Sequence, residues 1–276
     1  MNAPKINLES QPAVITPIRF WGVHAAAIIG GIGFGVTYEA VILAIVLYWV
    51  RMFGVTAGYH RYFSHKSFKT SRLMGFFLAV LAQSSGQRGV IWWARNHRHH
   101  HRFSDRIEDM HSPVKHGFWR SHIGWIFHPE AYGHLSRVRD LEKFWELKML
   151  DRYPMYPAII LGVICWLIAD WPGLFIGFFA STVILFHATF TINSLAHVWG
   201  SRRYETKDDS RNNAFLAFIT MGEGWHNNHH HFQQSCRQGF FWYEFDFTYW
   251  ILKILERNGL VWELREPPSR ITKSAS

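Results

Sequence analysis

Eighteen of the 276 residues are histidine, and ten of them fall into three short clusters. The first is His60-Arg-Tyr-Phe-Ser-His65, the second His97-Arg-His99-His100-His101, the third His226-Asn-Asn-His229-His230-His231. A fourth group, Asn193-Ser-Leu-Ala-His197, adds one more. On a helix, residues three and four apart share a face. His97 therefore lies over His100 and His101, His226 over His229 and His230, and Asn193 over His197. His60 and His65 are five apart, which an ideal helix splays, so they serve two metals or one lies past a helix end. Neutral imidazole is the commonest metal ligand and suits iron, zinc, copper and nickel.

The set His60, His65, His97, His100, His101, His197, His226, His229 and His230 is enough for two metals at about four or five ligands each. His99 and His231 sit beside the clusters but out of register, and read as exposed or supporting. His24, His111, His122 and His134 are isolated, and an isolated histidine is far more often packing or surface than ligand. A His-rich basic surface would not need the helical registration that the grouped set has.

These clusters need elements to hold them. Apolar residues make up 49% of the chain and aromatics 17%, with 14 Trp, yet the mean hydropathy is only -0.06. That combination fits a protein partly in lipid and partly in water. Apolar runs cover about 18–35, 37–57, 156–170 and 173–195, near the roughly 20 residues a bilayer core requires. Leu73 to Ala82 is too short to span and reads as buried or interfacial. Tight connections near Gly35 and Asp170-Trp171-Pro172-Gly173 make two hairpins. These carry no Lys or Arg, so the positive-inside rule puts both termini and the polar middle in the cytoplasm. The expected fold is all-α: one membrane domain over 1–276, with a loose N-terminus (1–16), four transmembrane helices and a cytoplasmic helical cap (58–155 and 196–276). The clusters then fall at one membrane–water level. Residues 30–35, GGIGFG, read as close helix packing. The charge of +9 points to anionic lipid or an acidic ligand. The aromatics lie inside apolar runs, which disfavours nucleic acid. Cys165 and Cys236 imply neither a disulfide nor a thiolate metal site, and Met1 to Thr16 lacks a signal-peptide pattern.

The boxes and their flanks resemble the membrane fatty acyl desaturase family, of the stearoyl-CoA (delta-9) type in a bacterial form. HxxxxH, HxxHH and HxxHH match His60/His65, His97/His100/His101 and His226/His229/His230, and NSxxH matches Asn193-Ser194 and His197. Gly54 to Gly58, Trp93-Ala94-Arg95 and Gly222 to Trp225 match the flanks, and the likeness runs from about Ile18 to Trp250. It implies a di-iron (Fe2+) centre with these ligands, Asn193 holding a metal-bound water, and a bent acyl tunnel. It implies O2-dependent removal of two hydrogens from adjacent methylenes, typically carbons 9 and 10, in the bacterial inner membrane.

An unactivated methylene has no acidic proton, so acid–base catalysis cannot start this reaction, and the cofactor must supply the chemistry. Position along an alkyl chain has no polar handle, so an apolar slot must measure it. Ala44, Tyr48 and Phe53 below His60 form a candidate wall, and Tyr48 lies roughly 18 Å along the helix from His60. Trp93 and Arg95 are the candidate residues nearer the carrier, Arg95 matching a family arginine at the CoA site. The basic pair that follows Gly-Trp in animal acyl-CoA enzymes is missing after Gly124-Trp125. The carrier is read as CoA, with acyl carrier protein and glycerolipid as alternatives; Arg88, Arg98 and Arg102 could contact it or lipid headgroups. No electron-supply module is visible, so electrons come from a separate ferredoxin or cytochrome with an NAD(P)H reductase, docked on the basic cap. The rivals are a histidine-box hydroxylase and a metal transporter or sensor. The first is disfavoured because no glutamate lies between the box histidines, the second because transport needs polar ligands near the bilayer midplane and the spans are apolar there apart from Thr182 and His187.

Overall fold

The computed structural model describes residues 15–132 and 135–273. The expected loose N-terminus lies almost wholly outside these residues, as does His134. The architecture is helical. In chain order the helices are α1 (Ile15–Phe34), α2 (Tyr38–Phe53), α3 (Arg72–Gln83), α4 (Val90–Phe103), α5 (Pro113–His116), α6 (Phe118–His122) and α7 (Arg139–Glu142). They continue with α8 (Trp145–Arg152), α9 (Tyr156–Pro172), α10 (Ser181–Asn193), α11 (Ala214–Ile219), α12 (His226–His231), α13 (Phe247–Arg257) and α14 (Ser269–Lys273). One two-residue antiparallel pair, β1 (Lys69–Thr70) with β2 (Val261–Trp262), ties the first cluster's exit to the C-terminal region.

Two continuous helical stretches, Tyr38–Ser64 and Tyr156–His197, are long and apolar enough to cross a membrane. The second doubles back. Ala169 and Asp170 leave helical geometry, Asp170 with a φ of 52°, which aspartate tolerates better than most residues. Phe178 then packs on Ala158 and Cys165 of the preceding arm. Residues 173–180 form a π-helical stretch that touches α1, α2 and α9 alike. Gly30 makes this possible on α1: a Cβ there would lie 2.0 Å from the Phe175 ring. Outward, Ile28, Ile29 and Ile32 of α1, Ile42, Ile45 and Val46 of α2, and Ile160, Val163 and Leu167 of α9 are exposed. Apolar surface of this extent marks a membrane-interacting protein.

Polar groups inside the apolar stretches satisfy one another. Arg51, fully buried, donates from Nη1 to Thr182 Oγ1 (2.6 Å) and from Nη2 to Ser181 Oγ (2.5 Å), tying α2 to α10. His24, His187 and His122 form a chain: Nε2 of His24 and His187 are 3.1 Å apart, and His187 Nδ1 lies 3.0 Å from His122 Nε2. His122 Nδ1 in turn lies 3.0 Å from Ser194 Oγ.

Helix α4, which carries the second cluster, starts on a carboxylate. Asp151 Oδ1 accepts from the backbone N–H of Ile91 and of Trp92, each at 3.0 Å. Negative charge is favourable at a helix N-terminus. Gly89 lets the two elements meet, since a Cβ there would fall 1.9 Å from Asp151 Oδ1 and 2.6 Å from its Cα. Gly89→Ala is therefore expected to lower stability by about 1–3 kcal/mol, the usual range for overpacking. Thermal unfolding in detergent checks this, and a Tm equal to the parent's would contradict it.

Candidate metal centre

The nine imidazoles converge through their Nε2 atoms into two adjacent groups. One holds His60, His65, His97, His101 and His229; the other holds His100, His197, His226 and His230, with the ligand atoms of each group within 4.8 Å of one another. Within the first group, His60 and His229 are 3.1 Å apart at Nε2, His65 and His97 2.8 Å, and His97 and His101 3.0 Å. In the second, His197 and His226 are 3.1 Å apart and His100 and His230 3.4 Å. The His101 and His230 rings, 4.5 Å between centroids, join the two groups.

Local backbone geometry explains the sorting. The first cluster lies on a π-helix, Gly54–Ser64, that continues α2 without a break. Its i→i+5 bonds put residues five apart on one face, and His65 N–H donates to His60 O at 3.1 Å. An α-helix would separate the pair by about 140° around the axis. His60 and His65 therefore join one group instead of dividing between two. His65 caps the π-helix one residue past its end, which is the second of the two alternatives that their spacing left open. In both HxxHH clusters the first and last histidines, four apart, share a group, and the middle one crosses to the other. His97 and His101 enter the first group and His100 the second; His226 and His230 enter the second and His229 the first. Neighbouring residues point about 100° apart on a helix, so each His-His doublet straddles both groups.

Four carboxylates, three of them buried and Asp208 nearly so, set the ring tautomers. Asp109 Oδ2 lies 2.9 Å from His100 Nδ1, Asp105 Oδ2 2.8 Å from His197 Nδ1, and Asp208 Oδ2 2.7 Å from His230 Nδ1. Glu223 Oε2 is 2.5 Å from His60 Nδ1. An ionised carboxylate only accepts, so these Nδ1 atoms carry protons and the Nε2 atoms present lone pairs. Where both rings of a pair are so fixed, as in His100 and His230 at 3.4 Å, the lone pairs face each other and repel unless a cation lies between them. A proton can bridge one such pair, but it cannot satisfy five converging nitrogens. Burial, first, and neighbouring histidines, second, push His65, His97, His101, His226 and His229 well below the usual imidazole pKa. These five nitrogens thus fit metal ions and disfavour protons; at His100 burial works the same way, but Asp109 outweighs it and raises the pKa.

His99 has no place in either group: its Nε2 faces Glu108 O at 2.9 Å. His231 stacks on Tyr204. His111 packs against His100, ring centroids 4.4 Å apart. A largely apolar cavity, with about 930 Å³ of atom-free space including its open side, reaches the first group. Its lining includes Thr16, Arg19 and Arg88, then Phe20, Phe186 and Phe190, then Trp93, His97 and Asn193. Tyr48, Ala44 and Arg95 lie off this lining. The Tyr48 hydroxyl donates to Ile219 O, and its ring packs with Met52, Leu185 and Met221. Arg95 acts electrostatically on Asp151. Arg98 forks onto Asp140 at 2.8 and 2.9 Å and also donates to Ser64 O, bracing the end of the π-helix.

Residues 37–263 match the family model for fatty acid desaturases. The chain belongs to the fatty acid desaturase family. It is 35% identical over 277 residues to an acyl-CoA 5-desaturase of Anemone leveillei, covering 95% of this chain and 86% of that one. It is 37% identical over 238 residues to delta-9 acyl-lipid desaturase 1 of Arabidopsis thaliana, covering 85% and 78%. It is 35% identical over 273 residues to the sn-2 palmitoyl-lipid 9-desaturase of Nostoc sp. (strain 36), covering 96% and 95%. The protein is a fatty acyl desaturase, an enzyme of a family that generally uses two irons.

Sequence reading missed the desaturase's four carboxylates. A usable signal was there for three of them: Asp105 and Asp109 closely follow the second box and Glu223 just precedes the third, and ligating histidines need an acceptor for the other nitrogen. Asp208→Asn leaves the His230 ring without its anionic partner. It is expected to weaken metal retention about 10–100-fold, the typical loss for such partners. Iron per chain during chelator titration measures this, and an unchanged titration midpoint would exclude the role. His230 also gives the apoprotein a pH dependence. Burial lowers its pKa to about 4 despite Asp208, while in the unfolded chain it is about 6.5. Between those values the unfolded state binds the extra proton, so stability falls as pH falls from about 6.5 to about 4. The Tm of the metal-free protein across that range measures it.

Proposed function

We propose that this desaturase removes two hydrogens from adjacent methylenes, carbons 9 and 10, of a saturated acyl chain, using O2 and two irons. The observation that carries the reading is the convergence of nine Nε2 atoms beside an apolar cavity. His60, His65, His97, His101 and His229 would hold one iron, and His100, His197, His226 and His230 the other. The second group is one ligand smaller, and Asn193, on the cavity lining, would hold a water there. The irons, when bound, supply the O2 activation that acid–base chemistry cannot.

The chain's own residues do the rest. Asp105, Asp109, Asp208 and Glu223 hold the Nδ1 protons of His197, His100, His230 and His60, which fixes the rings. Phe20, Phe186, Phe190 and Trp93 exclude water and orient the alkyl chain. Each turnover takes two electrons and two protons with the two substrate hydrogens and O2, and releases two waters. The electrons come from a separate ferredoxin or cytochrome served by an NAD(P)H reductase. The exposed apolar faces support four spans, about 18–35, 37–57, 156–170 and 173–195, with the termini and metal centre cytoplasmic in a bacterial inner membrane.

The acyl carrier is read as CoA. A glycerolipid ester is the second reading, favoured by the similarity to acyl-lipid 9-desaturases and by the place of Arg95 off the cavity lining. Ala44 and Tyr48, which lie off that cavity's lining, would meet only the distal end of an acyl tail that runs past it. Tyr48→Ala is then expected to shift chain-length preference, and an unchanged profile of chain lengths removes that assignment. Expression in a host lacking the activity, with mass-spectrometric profiling of fatty acids, tests the whole reading. New monounsaturated acids and two irons per chain are expected. New hydroxy acids without new alkenes would overturn it.

A further inference from the structure

We infer that the indole N–H of Trp125 anchors the acyl carbonyl of the substrate, and so counts the methylenes between that carbonyl and the metal centre. The inference rests on the desaturase reading above and adds to it the group that sets double-bond position. Trp125 is 7% exposed, lines the cavity that reaches His97 and Asn193, and its Nε1 has no hydrogen-bond partner among the described residues. Two other buried or half-buried tryptophans differ. Trp92, stacked on it at 5.8 Å between centroids, donates Nε1–H to Ala131 O at 3.0 Å. Trp225 donates to Phe245 O at 2.7 Å. An indole N–H is a donor only, and leaving one unmet in a buried site is unfavourable. Trp125 therefore calls for an acceptor beyond the described residues.

Two more residues of the same lining carry buried atoms without a hydrogen-bond partner among the described residues: His111, whose Nδ1 lies 3.6 Å from Asp109 Oδ1, and Asn96, whose Oδ1 is an acceptor that a carbonyl does not serve. The His111 and Trp125 rings meet edge to face, centroids 5.0 Å apart. His111 and Trp125 thus set polar atoms side by side on a lining that is apolar around Phe20, Phe186 and Phe190. An acyl substrate offers few matching groups. Its methylenes have no acceptor, and its ester or thioester carbonyl has one. A carbonyl held there would fix the alkyl chain lengthwise, which apolar walls cannot do because neighbouring methylenes are alike.

Trp125→Phe keeps the ring and removes the N–H. In the iron-loaded enzyme it is expected to raise KM about tenfold, the usual loss for one buried hydrogen bond. It should also spread the product from one double-bond position over neighbouring ones. Iron content and Tm should match the parent. Wild-type KM and a single wild-type position in this variant would overturn the inference. A substrate-side measurement needs no variant: the parent enzyme is given an alkyl ether analogue of the same chain length, which lacks the carbonyl. Alkenes at scattered positions support the anchor, and alkenes at the normal position alone overturn it. Failure of the parent to make any alkene from the normal ester or thioester would instead overturn the desaturase reading itself.

Discussion

His229→Ala should lose the metal of the five-histidine group and desaturate at less than about one-hundredth of the parent rate. Altering only a partner of a ligand already costs about 10–100-fold, and His229 is central to its group. Its Nε2 is 3.1 Å from that of His60 and 3.0 Å from that of His101. Its ring also meets His65, centroids 4.5 Å apart. The matched control is His99→Ala. That histidine is a cluster neighbour too, but it faces a surface carbonyl, so iron content and rate should stay within about twofold of the parent. Iron analysis and alkene yield measure both. A His229→Ala enzyme with full activity would remove it from the ligand set, and a His99→Ala enzyme without iron would show that any loss of an imidazole near the clusters suffices. The comparison separates a ligand from a bystander within the same class of box.

The helical registration of the last two boxes was readable because α-helical spacing is regular, and α4 and α12 keep it. The division of each box between two groups was not, because spacing gives a shared face but not what lies on either side of it. The first box stayed open between two arrangements for a backbone reason. Nothing in Gly54 to Ser64 signals i→i+5 bonding, yet that bonding is what brings His60 and His65 together. The apolar runs located the long helices to within a few residues, and the turn near Asp170 followed from its neighbours' types. The polar cap was less legible. Its shape depends on buried side-chain partners distant in sequence, such as Asp209 N–H on Asp105 Oδ2 at 2.8 Å, and no periodicity records those.

The same dependence on distant partners applies to Arg61. Arg61→Met is expected to destabilise the protein by about 3–5 kcal/mol, the range for removing one partner of a buried ion pair. Arg61 is 1% exposed. Its Nη2 lies 3.0 Å from Glu223 Oε1 and its Nη1 2.9 Å from Asp246 Oδ1, while Nη1 also donates to Cys236 O at 2.8 Å. Burial works against its charge, but Asp246 and Glu223 outweigh that and raise its pKa. Removing it strands two carboxylates in the interior. A loss of that size is a large part of the roughly 5–15 kcal/mol that holds a domain folded, so low yield and a much lower Tm are expected. Arg61→Lys keeps the charge without the planar fork and should fall between. The informative variant is Arg61→Met with Asp246→Asn and Glu223→Gln, which removes the stranded charges together. It should recover part of the Tm, because neutral groups are less costly to bury than unpaired ions. It should not recover iron at the first group, because Glu223 also holds His60 Nδ1. Recovery of both would mean that Glu223 serves Arg61 alone; recovery of Tm without iron would assign the carboxylate both tasks, one in the fold and one at the metal.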